Sequence, residues 1–222
     1  ERKEYKKSRD RWSPRYQTRP HREVFYIGID SCVPDMEIES RTSRIPLIRE
    51  AYDDAVLGEK IKEKLSFIMH RNYGDFINYW NERKSYKGLT YGAVQYPSLY
   101  MGAGEQRIIK FLETIYSIPD YSLILIDELD LTLHTEALLR LMQVLNDECN
   151  TRNIQIVFTS HREELLDCNF INIRHLVNDT NGKTSICLER TTPDCIKRLT
   201  GICPKPLEIM VEDNLAEALV RK

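Results

Sequence analysis

The chain of 222 residues is 41% hydrophobic and 30% charged, with nine glycines and nine prolines. That composition suits a globular fold and excludes disordered and collagen-like classes. The length fits one domain or one and a fraction, since domains run to about 100–150 residues. No apolar stretch approaches the roughly 20 residues that cross a bilayer, so no membrane partner is expected. The opening, from Glu1, has no apolar core of the signal-peptide type, which leaves a cytoplasmic setting as the expectation.

The net charge of −2 hides an asymmetry. Residues 1–22 carry nine Lys and Arg against Glu1, Glu4 and Asp10, a local net of +6, and the remainder therefore sums to −8. This basic arm, with Trp12 and Tyr16, is either a DNA-contacting segment acting on phosphates or a solvated charge run. The six cysteines (Cys32, Cys149, Cys168, Cys187, Cys195, Cys203) include no C-x-x-C pair. Free thiols in a reducing compartment are the economical reading, and a structural zinc site is not expected.

In chain order, Glu23–Asp30 (EVFYIGID) alternates and is rich in β-formers, which predicts a strand. From Arg44 to about Lys84 apolar residues recur at spacings of three and four, from Ile45 and Ile48 to Ile68 and Met69. That period predicts a helical insert of two or three helices broken near Gly58 and Gly74. The insert serves either as core packing or as an arm that reaches a partner. Leu89–Gln95 reads as a weak strand and Glu105–Ser117 as a helix. Tyr121–Ile126 (YSLILI) and Asn153–Thr159 (NIQIVFT) read as apolar strands flanking a helix from about Thr135 to Glu148, with a further helix from about Arg162. Short apolar strands alternating with amphipathic helices predict an α/β fold, a parallel sheet buried on both faces. Phe170–Val177 and Lys183–Arg190 then suggest a hairpin around Asn178–Gly182. A short helix at Pro193–Leu199, a strand at Leu207–Val211 and a helix from near Asn214 complete the chain.

The strongest chemical signal is Leu123–Glu128, LILIDE. Two acids at the end of a buried strand lie where ligands of open α/β sheets bind. Burying them is costly unless a cation or a water-activating role compensates. In a nucleoside triphosphatase Asp127 would hold the Mg²⁺ shell and Glu128 would orient and polarise the attacking water. The next strand ends in Ser160 and His161, which a right-handed crossover brings to the same edge, where a His can bond a γ-phosphate. Tyr100–Arg107 (YMGAGEQR) places small residues ahead of a helix N-terminus, which lets backbone N–H groups approach an anion.

In this order and spacing the three stretches resemble the second half of an ABC-type ATPase head. MGAGEQ (Gly102, Ala103, Gly104, Glu105, Gln106) is similar to the signature motif, LILIDE to Walker B, and FTSH to the switch histidine, His161. Leu131–His134 occupies the D-loop position, and the DE-x-x-x-x-LH form resembles the OLD-like (overcoming lysogenisation defect) group, with His134 at the nucleotide. LEIMVEDNLAEA (207–218) is similar to the opening of a Toprim nuclease domain, whose strand-end acid, here Glu212, would help bind catalytic metal.

With the basic arm at 1–22 and the insert at about 44–84 read from charge and periodicity, the resemblance implies an incomplete ATPase head over 23–205 and the first strand and helix of a Toprim-like domain over 206–222. It implies two heads sandwiching ATP and Mg²⁺. Each would supply Asp127, Glu128 and His161 to its own site and Gly102–Gln106 to its partner's, with ATP controlling DNA cleavage in anti-phage defence and an accessory defence protein as a further partner. Two departures from the family pattern stand out. Gly102 replaces the usual Ser of the signature, leaving the backbone N–H groups of Gly102–Gly104 to bind anions. The chain also holds no G-x-x-x-x-G-K-[ST] loop and no obvious Gln loop, which in the family lie upstream of the region matching Glu1. Two other readings stay open: a chromosome-maintenance head whose insert is a DNA-binding arm, without nuclease, and a non-catalytic toxin–antitoxin-like or scaffold subunit.

Overall fold

The structure, a computed structural model, describes residues 22–39, 47–81, 84–178 and 184–187, together with the backbone of two short strands nearer the N-terminus. The chain divides into two compact units, Glu1–Ser160 and His161–Lys222. In the basic arm Lys6–Ser8 (β1) and Arg11–Ser13 (β2) pair antiparallel, with Lys6 opposite Ser13.

Val24–Ile27 (β3) follows and is the first strand of the parallel sheet, shorter than the sequence suggests because Ile29–Cys32 turns into a 3₁₀ helix. Asp35–Ile38 (α1) is a single turn. The region read as a helical insert holds one helix, and the expectation of two or three is corrected. Ile48–Ala51 (β4), Ala55–Met69 (α2), Tyr73–Trp80 (β5), Ser85–Tyr91 (β6) and Val94–Pro97 (β7) form an antiparallel sheet of order β4-β5-β6-β7 with the helix packed on β5.

The physical reason is pairing. Four exposed residues at Ile48–Ala51 have no core face of their own, and β5 offers them a hydrogen-bonding edge. Tertiary pairing of this kind overrides local periodicity. Gly74 therefore lies within β5 rather than at a helix break, and Gly58 lies within α2 with the Tyr52 ring against it. The helix itself reads as its sequence dictates. Asp54 caps it by accepting from the Leu57 N–H at 3.0 Å, Ile61, Leu65 and Ile68 share one face, and His70 ends it in the left-handed region at φ 52°. These three apolar residues are fully buried where α2 meets Ala103–Ser117 (α3) and Thr135–Arg152 (α4). The insert is thus part of the core, not a projecting arm.

Leu123–Ile126 (β8) and Gln155–Phe158 (β9) complete the parallel sheet in the order β3-β8-β9. Tyr26, Leu125 and Val157 share one row, and Ile27, Ile126 and Phe158 the next. Side chains alternate between faces of a sheet, and here the faces differ. Ile27, Ile124 and Ile126 are buried, whereas Val24, Tyr26 and Val157 are 55%, 68% and 51% exposed. Burial of both faces, expected from the apolar runs, is corrected to burial of one.

In the second unit the helix expected from Arg162 is a 3₁₀ turn, Glu163–Asp167, and His175–Asn178 (β10) pairs antiparallel with Thr184–Cys187 (β11) as the expected hairpin, with shorter strands. The short helix at 193–199 and the strand and helix expected from 207 onward, with Glu212, lie outside the described residues. Cys32, Cys149 and Cys168 are free thiols. Among the described residues no helix is long and apolar enough to cross a membrane.

Because α2 is core, Leu65→Ala is expected to lower unfolding free energy in a urea titration by about 2–5 kcal/mol. A loss below about 0.5 kcal/mol would instead place the helix outside the cooperative core.

Candidate active site

All three parallel strands run toward one edge, and each ends in a polar turn there. The ladder continues past the strands: Asp127 N–H donates to Ile27 O at 2.9 Å, Thr159 N–H to Ile126 O at 3.0 Å, and Leu129 N–H to Thr159 O at 3.0 Å. Asp127 and Glu128 are therefore delivered to the carboxyl edge of the central strand, half-exposed, as the LILIDE pattern predicts.

Thr159 joins the two acids. Its hydroxyl donates to Asp127 Oδ1 at 2.8 Å and accepts from Glu128 N–H at 2.8 Å. A hydroxyl has one donor and two acceptor positions, so it serves both neighbours at once. Sequence reading passed over Thr159, although its place as the first residue beyond a parallel strand, beside the acid pair, was a usable signal.

The turn after β8 is conformationally unusual. Glu128 and Thr132 have φ of 48° and 69°, in the left-handed region. Each costs about 1–2 kcal/mol for a residue with a Cβ, so the surrounding structure must impose them. Two buried side chains, Leu129 and Leu133, anchor the loop. Arg107 braces it from α3: its guanidinium donates to the carbonyls of Glu128 at 2.6 Å, Asp127 at 3.0 Å and Leu131 at 3.2 Å, and also contacts Cys32 Sγ. Burial pushes the Arg107 guanidinium down from its ordinary range, opposed by Cys32 and the acids at 130, 128 and 127. Burial likewise pushes the Cys32 thiol up, against the lowering effect of Arg107. Arg107 was also missed, yet it falls on the stripe Arg107, Phe111, Ile115, where a charge on an apolar face signals a buried partner set.

At the start of α3 the glycine-rich stretch presents less to solvent than expected. Glu105 is buried and its carboxylate accepts from Tyr73 Oη, Tyr96 Oη at 3.3 Å, Arg71 at 3.3 Å and Gly102 N–H at 3.2 Å. Burial, reinforced by Glu105, pushes the Tyr96 phenol up to about 12. Gln106 donates to Ser98 O at 2.8 Å and Met101 O at 3.1 Å and accepts from Asp35 N–H at 2.9 Å. The side chains of both residues are thus committed inside the protein. The expected availability of three N–H groups is corrected too, since Glu105 occupies that of Gly102. Ala103 and Gly104 are half-exposed.

His134 is exposed at the N-cap of α4, and its carbonyl accepts from Leu138 N–H at 2.9 Å. His161, the first residue of the second unit, is exposed. The donor set suits Mg²⁺, a hard cation that favours carboxylate and other oxygens. Among the described residues no group of three or more His, Cys, Asp or Glu could hold a metal. Mg²⁺ does not need one, because it is commonly bound by one or two carboxylates together with substrate phosphates.

The family model described as "AAA domain, putative AbiEii toxin, Type IV TA system" matches residues 2–167, more than half of the chain. No curated protein matches it.

A Cβ added at Gly104 would lie 2.8 Å from Thr132 O, a backbone atom that cannot swing aside. Gly104→Ala is therefore expected to push α3 from the acid loop and lower stability by about 1–3 kcal/mol in a denaturant titration. A neutral or stabilising result would show that the contact tolerates a methyl group.

Proposed function

The chain belongs to this AAA-domain family, and from that membership we propose that it is the hydrolytic head of an ATP-driven protein, with Asp127 and Glu128 as the reacting acids. Family membership supports ATP binding; the single observation that carries hydrolysis is the acid pair at the carboxyl edge of β8, bridged by the Thr159 hydroxyl. When bound, Mg-ATP supplies the γ-phosphoryl group and the cation that neutralises its charge. Asp127 offers the hard oxygen for that cation, and its bond from Thr159 fixes the carboxylate orientation. Glu128, set by the left-handed turn, orients water and accepts its proton. In this reading His161 bonds the γ-phosphate, while His134 and the backbone at Ala103 and Gly104 face a nucleotide shared with a second head. The 222 residues hold no G-x-x-x-x-G-K-[ST] stretch.

The finer reading is an OLD-like, DNA-directed nuclease of anti-phage defence, with Glu212 as a metal ligand of a Toprim domain. It is supported by the DE-x-x-x-x-LH spacing and by LEIMVED at 207–213. A second reading, a toxin of a type IV toxin–antitoxin pair, is favoured by the family's own description. The chromosome-maintenance reading loses its proposed arm, since α2 is packed in the core.

In the intact protein Glu128→Gln should reduce phosphate release from ATP by about 10²–10⁴-fold while nucleotide is retained; unchanged turnover would remove Glu128 from the mechanism. Glu212→Ala should abolish Mg²⁺-dependent DNA nicking and leave ATP turnover intact. Absence of nicking by the unmodified protein, with growth arrest on its expression, would favour the toxin reading.

A further inference from the structure

Arg107 is completely buried, a rare placement for a guanidinium. Its terminal nitrogens are directed at the turn that follows β8. Nη2 donates to the carbonyls of both Asp127 and Glu128, and Nη1 donates to Leu131 O and contacts Cys32 Sγ. The Nε–H, by contrast, is buried with no hydrogen-bond partner among the described residues. An orphaned buried donor is costly, so the arrangement persists because the other contacts hold the side chain in place. Those contacts gather three carbonyls from within five residues, the segment in which Glu128 adopts its left-handed conformation. Lysine has the same charge but carries it as a point, without the planar fork that reaches several oxygens in fixed directions.

We propose that Arg107 is a positioning residue: by drawing the carbonyls of Asp127, Glu128 and Leu131 onto one guanidinium, it holds the Glu128 backbone in the turn that aims its carboxylate. The residue touches neither nucleotide nor water and acts through the backbone of the acids. Gly104, one turn earlier in α3, lets the helix come close enough for the fork to reach, since a Cβ there would meet Thr132 O. The inference rests on the proposed hydrolytic role of Glu128 for its consequence, and on geometry alone for the constraint.

Two measurements on the intact protein test it with Arg107→Lys, and with Arg107→Ala supplemented by guanidinium ion. Without nucleotide, hydrogen exchange of the peptide covering 127–133 should accelerate about tenfold in Arg107→Lys, with α2 and α4 unchanged. Millimolar guanidinium should slow that exchange again in Arg107→Ala. With Mg-ATP, kcat should fall about 100-fold, the scale of a small misplacement of a catalytic group, while affinity for a non-hydrolysable ATP analogue stays within about threefold. Unchanged exchange at 127–133, or exchange raised evenly across the chain, overturns the proposal. So does a kcat within about twofold of the unmodified protein. If Arg107→Ala does not fold, Arg107→Lys decides alone. If the unmodified protein turns over no ATP, the hydrolytic reading fails, and the exchange measurement still decides whether Arg107 fixes the turn.

Discussion

Strand β8 is four residues long, and the geometry at its edges depends on guanidinium groups bound to backbone carbonyls. At its amino end Arg22 donates to Tyr121 O at 2.9 Å and Ser122 O at 3.0 Å, and to Gln155 Oε1 at 2.9 Å. Arg152 does the same for the connection from α3, with bonds to Ile115 O and Ile118 O and an ion pair to Asp120 at 2.8 Å. Arg107 closes the carboxyl end. Carbonyls at the ends of helices and strands have no partner in their own element, and each would carry a desolvation cost if buried unpaired. A planar fork that satisfies two or three of them fixes their relative positions as well. The last cation of the basic arm is therefore structural, whatever the preceding residues contact.

The first turn of α3 distributes the polar groups of a short motif among three neighbours. Glu105 faces the antiparallel sheet through Tyr73 and Tyr96, Gln106 faces α1 through Asp35, and Arg107 faces the acid turn. Three consecutive residues on a helix point about 100° apart, so one turn can serve three directions. The cost is that few polar side chains remain for a ligand. What this stretch can still offer to an anion is backbone, at Ala103 and Gly104.

Much of this was legible and some was not, for reasons that particular residues show. The parallel order of β8, α4 and β9 and the delivery of Asp127 and Glu128 to one edge follow from apolar runs and the crossover rule, and LILIDE marked them correctly. The insert misled because apolar spacing at Ile45–Val56 imitates a helix, while β4 is fixed by an edge that only β5 provides. Burial on one face alone could not be read from YSLILI, since what covers a sheet is a tertiary fact. Thr159 and Arg107 escaped because neither residue type announces a site. Their significance lies in atoms brought together across 32 and 21 positions of sequence.

Glu105 and Arg107 are two residues apart on one rigid helical turn, and their partners lie on opposite sides of it. The first is held by the antiparallel sheet and the second holds the backbone of Glu128. A helix turn with intact hydrogen bonds moves as a unit, so the position of the sheet and the position of the acid turn are set by the same element. Gly104, just before Glu105, has Thr132 O in close approach, which leaves the turn no room to slide toward the loop. The left-handed conformation of Glu128 is thus supported from a distance, through contacts that begin at Tyr73 and Tyr96. The former "insert" is for that reason a foundation of the acid edge rather than an appendage to it.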